Sequence, residues 1–229
     1  TYQAISSIGR NRLLNRGIVL PRQISPPIIS TEMNEGVMIY GGMNDVKNKI
    51  LEAKTSAPKA VFVLTTCPSA IIGENMDVVP TLSDEQTKVI PVCADGNITG
   101  DFLQGIFLAY EQIMEQVIDP QVVPRENTVN IIGEKTLANN TNENFQTISS
   151  MLHALGITVN CRFICDTSYE AVKGFKKGVL NLTANDDHMG RTLTEMLSLA
   201  HGAEFMEEAF PVGYRETEVW LQKLAAYFH

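Results

Sequence analysis

The chain has 229 residues, a formal net charge of −8 and a pI near 5.0, with 44% hydrophobic and 19% charged residues. There is no basic stripe to release phosphate counterions or to meet an anionic membrane, which excludes a general nucleic-acid binder and a membrane-surface protein. No apolar run approaches the ~20 residues of a membrane span, and the length suits one large or two small globular domains.

In chain order, residues 1–20 read as partly helical, with Tyr2, Ile5, Ile8 and Leu13 near one face and Arg10, Arg12 and Arg16 between them. Pro21, Pro26 and Pro27 stop any helix there. Residues 28–31 and 37–40 read as short strands, the second leading into Gly41-Gly42. Helical period takes over through Val46, Ile50, Leu51 and Ala53 until Pro58. Residues 60–64 form a buried parallel strand that delivers the chain to Thr65-Thr66-Cys67-Pro68.

An amphipathic helix is expected over 74–86, interrupted at Pro80, with Ser83 and Gln86 at capping-box spacing. Residues 89–93 are a strand ending in the glycine-bearing loop 94–100. Phe102, Ile106, Tyr110 and Ile113 mark a long helix to about Val117. The proline-bearing stretch 119–127 is the natural boundary, giving domains over 1–122 and 123–229.

The pattern then restarts. A strand over 129–132 ends in Gly133-Glu134, and a polar loop leads to a helix over 143–155 closed by Gly156. Residues 157–163 are a strand, 169–175 a short helix and 179–182 a strand. Asp186 or Asp187 caps a helix to about Ala200, closed by Gly202; Phe205-Met206 is a short strand and 217–228 a final helix. Alternation of strand and helix throughout predicts an α/β fold: two Rossmann-like αβα domains with parallel sheets.

Ligands of open α/β sheets bind outside the carboxyl ends of the strands, which is where Cys67 falls. A cysteine there is either a small buried hydrophobe or a thiolate ligand. A single thiolate does not hold an iron–sulfur cluster, which takes about four, so partners would come from elsewhere. Cys93 ends the next strand and is a weaker ligand candidate beside the loop. Cys161 and Cys165 have the spacing C-x-x-x-C without a second pair or a nearby His, and read as packing residues.

Four scattered cysteines do not make a secreted disulfide scaffold, and Thr1-Tyr2-Gln3-Ala4 opens no apolar signal segment; a cytoplasmic, reducing location is expected. The glycine loops match neither G-x-G-x-x-G nor the Walker pattern, there is no G-x-S-x-G elbow, and His153, His188, His201 and His229 share no ligand spacing.

Several segments occur together in one order: Thr1-Tyr2-Gln3, Ser30-Thr31-Glu32-Met33-Asn34-Glu35, Ile39-Tyr40-Gly41-Gly42, Thr65 through Glu74, Ile131-Ile132-Gly133-Glu134 and Phe210 through Thr217. Nearly the whole chain thereby resembles the nitrogenase component 1 family of nitrogenases and nitrogenase-like reductases. The resemblance implies subunits of three αβα domains, paired with a homologous subunit. Their clusters lie at the interface and between domains. The interfacial cluster is a 4Fe-4S-type iron–sulfur group, and a separate iron–sulfur reductase protein uses ATP to deliver electrons.

The resemblance makes Cys67 a ligand of that shared cluster, with Glu74-Asn75 standing where the family has two acids. A further family cysteine would fall just upstream of Thr1, and a third domain after Phe228, so a piece of a longer subunit is expected. Asp95, Gly96 and Asn97 are the cofactor-binding candidates of the cleft, Asn97 aligning with a serine sometimes found near the interfacial cluster. Where catalytic α subunits carry a cysteine after Leu-Asn-Leu to hold their large cofactor, this chain has Leu180-Asn181-Leu182-Thr183-Ala184-Asn185. The reading is therefore a subunit of a nitrogenase-like oxidoreductase. The alternative is a non-catalytic scaffold for assembly of a nitrogenase-type metal cofactor.

Overall fold

The computed structural model describes residues 28–96, 100–136, 138 and 140–228. The expected helix over 1–20 and the candidate Asn97 lie outside the described residues. Two parallel sheets flanked by helices make up the fold.

The first sheet pairs β1 (Ala60–Leu64) with β2 (Lys88–Val92), in register from Ala60 opposite Lys88 to Leu64 opposite Val92. Before it come two helices, α1 (Glu35–Tyr40) and α2 (Met43–Lys54). Val61, Val63 and Val89 point to one face and pack under Ile50 of α2 and Val79. Ala60 and Ile90 point to the other, against Met114, Val117 and Ile118. This division follows from the period of two along a strand. The second face is only half covered: Ile90 is 1% exposed, but Phe62 is 39% and Leu64 64% exposed.

Helix α3 (Cys67–Ile71) follows β1, and a 3₁₀ helix (Met76–Leu82) leads back to β2. Helix α4 (Phe102–Val117) starts at Asp101, whose side chain accepts from the Gln104 amide at 3.0 Å. Phe107, Met114 and Val117 are its buried residues, at spacings that share one face.

The second sheet has the order β4 (Thr158–Arg162), β3 (Arg125–Ile132), β5 (Gly178–Thr183), all parallel. Helix α5 (Thr141–Ala154) joins β3 to β4, and α6 (Tyr169–Lys173) with a 3₁₀ turn joins β4 to β5. Helices α7 (His188–His201) and α8 (Tyr214–Phe228) follow. Asp187 caps α7 by accepting from the Gly190 amide at 2.9 Å, and Gly202 ends it in the left-handed region at φ 62°.

A buried amide ladder sets the sheet's strands against each other. Asn130 donates to Asn181 Oδ1 at 2.8 Å and to the Phe175 carbonyl at 2.9 Å. Asn160 donates to Asn130 Oδ1 at 2.8 Å, and Asn181 to the Glu204 carbonyl at 2.7 Å. One hydrophobic cluster takes in Ile90 of the first sheet, Met114 and Val117 of α4, Ile132 and Phe163 of the second half, and Leu193 and Leu197 of α7.

Four local expectations are corrected. Residues 37–40 are helical, because Asn34 caps the segment by accepting from the Val37 amide at 3.1 Å and Glu35 occupies its first turn. Residues 28–31 form no strand. Within 74–86 only Met76–Leu82 is helical, as a 3₁₀ helix capped by Asn75 with Pro80 inside it, and Ser83 accepts from the Val89 amide at 2.9 Å instead of building a capping box. Phe205 makes a single bridge to Asn181 in place of a strand.

Candidate functional site

The carboxyl edge of the first sheet gathers residues from four parts of the chain. The Thr65 amide still bonds the Val92 carbonyl at 3.1 Å, extending the pairing of β1 one step past its end. Thr66 then turns the chain: it is extended (φ −117°, ψ 165°) and forms a reciprocal capping box with Ser69, whose hydroxyl accepts from the Thr66 amide at 2.8 Å. Pro68, inside the first turn, costs no hydrogen bond there.

Cys67 is the first residue of α3. Its half-buried thiol donates to the Asp95 carbonyl at 2.6 Å, joining the loop after β1 to the loop after β2. Gly73, at φ 70°, ends the turn. The Glu74 carboxylate accepts from the Gly42 amide, so the acid after the glycine is used to seat the upstream Gly-Gly pair. Thr66 Oγ1 lies 4.0 Å from Met33 Sδ. Residues 33, 42, 66–74 and 95 thus converge, which explains why these separate stretches stand out together in the sequence.

Of the candidates on the next loop, Cys93 is exposed. Partial burial, then the neighbouring Asp95 and Asp77 carboxylates, push its thiol pKa up. Asp95 is buried, and Gly96 takes φ 76°, a conformation open to glycine. Gly105 of α4 runs close by, 3.5 Å from the Ala94 side chain at its Cβ position.

Cys161 and Cys165 lie in the other half. Both are buried, and burial is the main cause that raises both thiols to about 11. They are protonated packing groups at neutral pH. Among the described residues no group of three or more His, Cys, Asp or Glu side chains converges as a metal site. Cys67 fits one corner of a thiolate-bound cluster: its side chain is half-buried at the sheet's edge and its present partner is a carbonyl that ligation would release.

At the carboxyl edge of the second sheet, Asn185 donates to the Gly133 carbonyl at 2.8 Å and closes the β5 loop onto the β3 loop. Beside it lies a group that sequence reading missed. Arg162 and Glu134 form a buried, two-pronged ion pair, with both bonds at 2.8 Å. The available signal was Glu134 directly after a strand-ending glycine and a cation inside the apolar run 157–163.

The model of "Nitrogenase component 1 type Oxidoreductase" matches residues 6–229. The nitrogenase iron-molybdenum cofactor biosynthesis protein NifE of Nostoc is 30% identical over 86% of this chain and 41% of its own length. The same protein of Rippkaea orientalis is 28% identical over 87% of this chain and 42% of its own. The nitrogenase molybdenum-iron protein alpha chain of Methanothermobacter marburgensis is 26% identical over 80% and 39%. The chain therefore spans about two fifths of the length of these relatives. The solved structure "Nitrogenase Cp1 at pH 5" superimposes with a TM-score of 0.66 at 25% identity, over 79% of this chain and 36% of that one. With the family model running through both sheets and both edges described above, the chain belongs to the nitrogenase component 1 type oxidoreductases.

Proposed function

We propose that this chain is the cluster-holding part of a subunit in a nitrogenase-like, iron–sulfur-dependent reductase, with Cys67 as one ligand. The observation that carries the reading is the Cys67 thiol, half-buried at a strand's carboxyl end and held on the Asp95 carbonyl. An iron–sulfur cluster, when bound, supplies one-electron transfer. Cys67 would lose its proton on ligation, freeing the Asp95 carbonyl. Cys93, Asp95, Gly96 and Asn97 would border the cleft that takes the substrate or metal cofactor, and the Glu74–Gly42 contact would hold the turn's outer side.

The remaining cluster ligands would come from a homologous partner subunit and from sequence beyond this chain. Electrons would come from a separate ATP-dependent iron–sulfur reductase protein. The subunit would work in the cytoplasm, with its two domains meeting at residues 122–123. Among the described residues no helix is long and apolar enough to cross a membrane.

A second reading, a scaffold on which a metal cofactor is assembled, has its own support. Relatives of this chain include proteins named for cofactor biosynthesis. Asn185 stands where the resemblance places a cofactor-holding cysteine, and its amide is committed to Gly133.

Anaerobic reconstitution of the full-length complex tests the ligand. Cys67→Ala is expected to remove or strongly alter the cluster absorbance and lower bound iron; unchanged iron content would sink the assignment. Replacing Cys161 and Cys165 with Ser is expected to leave iron intact. Incubation with the reductase partner and ATP separates the two readings: substrate reduction marks a catalytic subunit, and release of a matured metal cofactor to an acceptor protein marks a scaffold.

A further inference from the structure

Arg162 ends β4 and reaches three segments at the carboxyl edge of the second sheet. Its Nε and Nη2 donate to the two Glu134 oxygens, each at 2.8 Å. Nη2 also donates to Asn142 Oδ1 at 3.2 Å and lies 3.5 Å from Cys165 Sγ. Nη1 lies 3.6 Å from Asp166, and the guanidinium carbon sits 4.0 Å from the centre of the Phe145 ring. A planar five-donor fork can serve this many partners at once, and an ammonium cannot.

The turn that follows is strained. Ile164 has φ 59° and Asp166 φ 45°, both left-handed, and a β-branched residue is a true outlier there. Such backbone persists only where its surroundings over-determine it. Here the Phe163 amide bonds the Ile131 carbonyl at 2.8 Å and the Cys165 amide the Arg162 carbonyl at 3.1 Å. On the outer side Phe163 tilts onto Tyr110 of α4, ring centres 6.0 Å apart, and meets Phe175 edge-on at 5.5 Å. Neither the Cys67 site nor the proposed function uses any of these groups.

We infer that the Arg162–Glu134 pair is a latch: it holds the turn 163–166 in its strained form, and that turn braces α4 against the second sheet. Releasing the latch lets Ile164 relax and uncovers Cys165, while the deeper core stays closed. Cys165 (4% exposed) lies inside the turn and Cys161 (2% exposed) on the strand before it, so a local opening uncovers Cys165 more than Cys161 and a global one uncovers both alike.

Brief iodoacetamide labelling of the native full chain, read site by site by peptide mass spectrometry, tests this. Two changes release the latch: Glu134→Gln, and the pair Arg162→Met with Glu134→Leu, which leaves no unpaired buried charge. Each is expected to raise Cys165 labelling about tenfold or more beyond any rise at Cys161, which follows the loss of global stability. Adding Ile164→Gly, which takes left-handed φ freely, is expected to restore protection of Cys165. The inference is overturned if Cys165 stays as protected as in the parent, if Cys161 and Cys165 rise by the same factor, or if Ile164→Gly fails to restore protection.

Discussion

Cys67 and Arg162 occupy matching places, each where a parallel strand runs out, but one is a half-buried thiol on a carbonyl and the other a buried cation on a carboxylate. Truncating Glu134 to Ala strands a buried guanidinium, and a loss of about 3–5 kcal/mol in urea unfolding is expected. Asp84 gives a pH signature. The Lys54 hydrogen bond, then the Thr87 and Gln86 amides, hold its carboxyl at about 2, against an ordinary value of 3.8. Its folded form is favoured when charged, so its contribution is complete above pH 3.8 and is lost as the pH falls towards 2. Asp84→Asn is expected to flatten the acid side of the stability curve over that window, and an unchanged slope would rule out the linkage. The place of Cys67 just past the end of β1 was legible in the sequence because everything announcing it is local: an apolar strand, two threonines, a proline and a glycine. The Arg162–Glu134 pair was not, because its members stand 28 residues apart and only the β3–β4 pairing brings them together.

At the level of elements, strong periodicity and caps made α4, α7 and the strands of both sheets readable. The misread helix α1 shows what defeats such reading: a four-residue apolar run has no period of its own, and one asparagine cap decides its conformation. Gly178, at the start of β5, has a role invisible to pattern. A Cβ there would come within 2.3 Å of the Asn130 amide, in the middle of the buried ladder. Gly178→Ala is expected to cost about 1–3 kcal/mol by overpacking, measured in urea. It should also weaken hydrogen-exchange protection in β3 and β5 more than in β1 and β2.

Across the whole molecule, α4 belongs to both halves. Met114, 1% exposed, shares a cluster with Ile90 on one side and with Ile132, Leu193 and Leu197 on the other. His201 adds a polar tie, its Nε2 lying 3.1 Å from the Met114 carbonyl. Met114→Ala is expected to cost about 2–5 kcal/mol. Unfolding should stay a single transition in which Trp220 fluorescence, a probe of the second half, coincides with far-ultraviolet circular dichroism; separated transitions would show that the halves melt independently.

The half-covered face of β1 governs how the chain behaves in the test tube. Among the described residues β1 pairs only with β2, so Phe62 and Leu64 sit side by side on an edge strand that carries no lysine, proline or bulge to deter another strand. Light scattering of the isolated chain should therefore climb with concentration well before its net charge of −8 would suggest. A Leu64→Lys gatekeeper should hold it monodisperse with its melting point nearly unchanged.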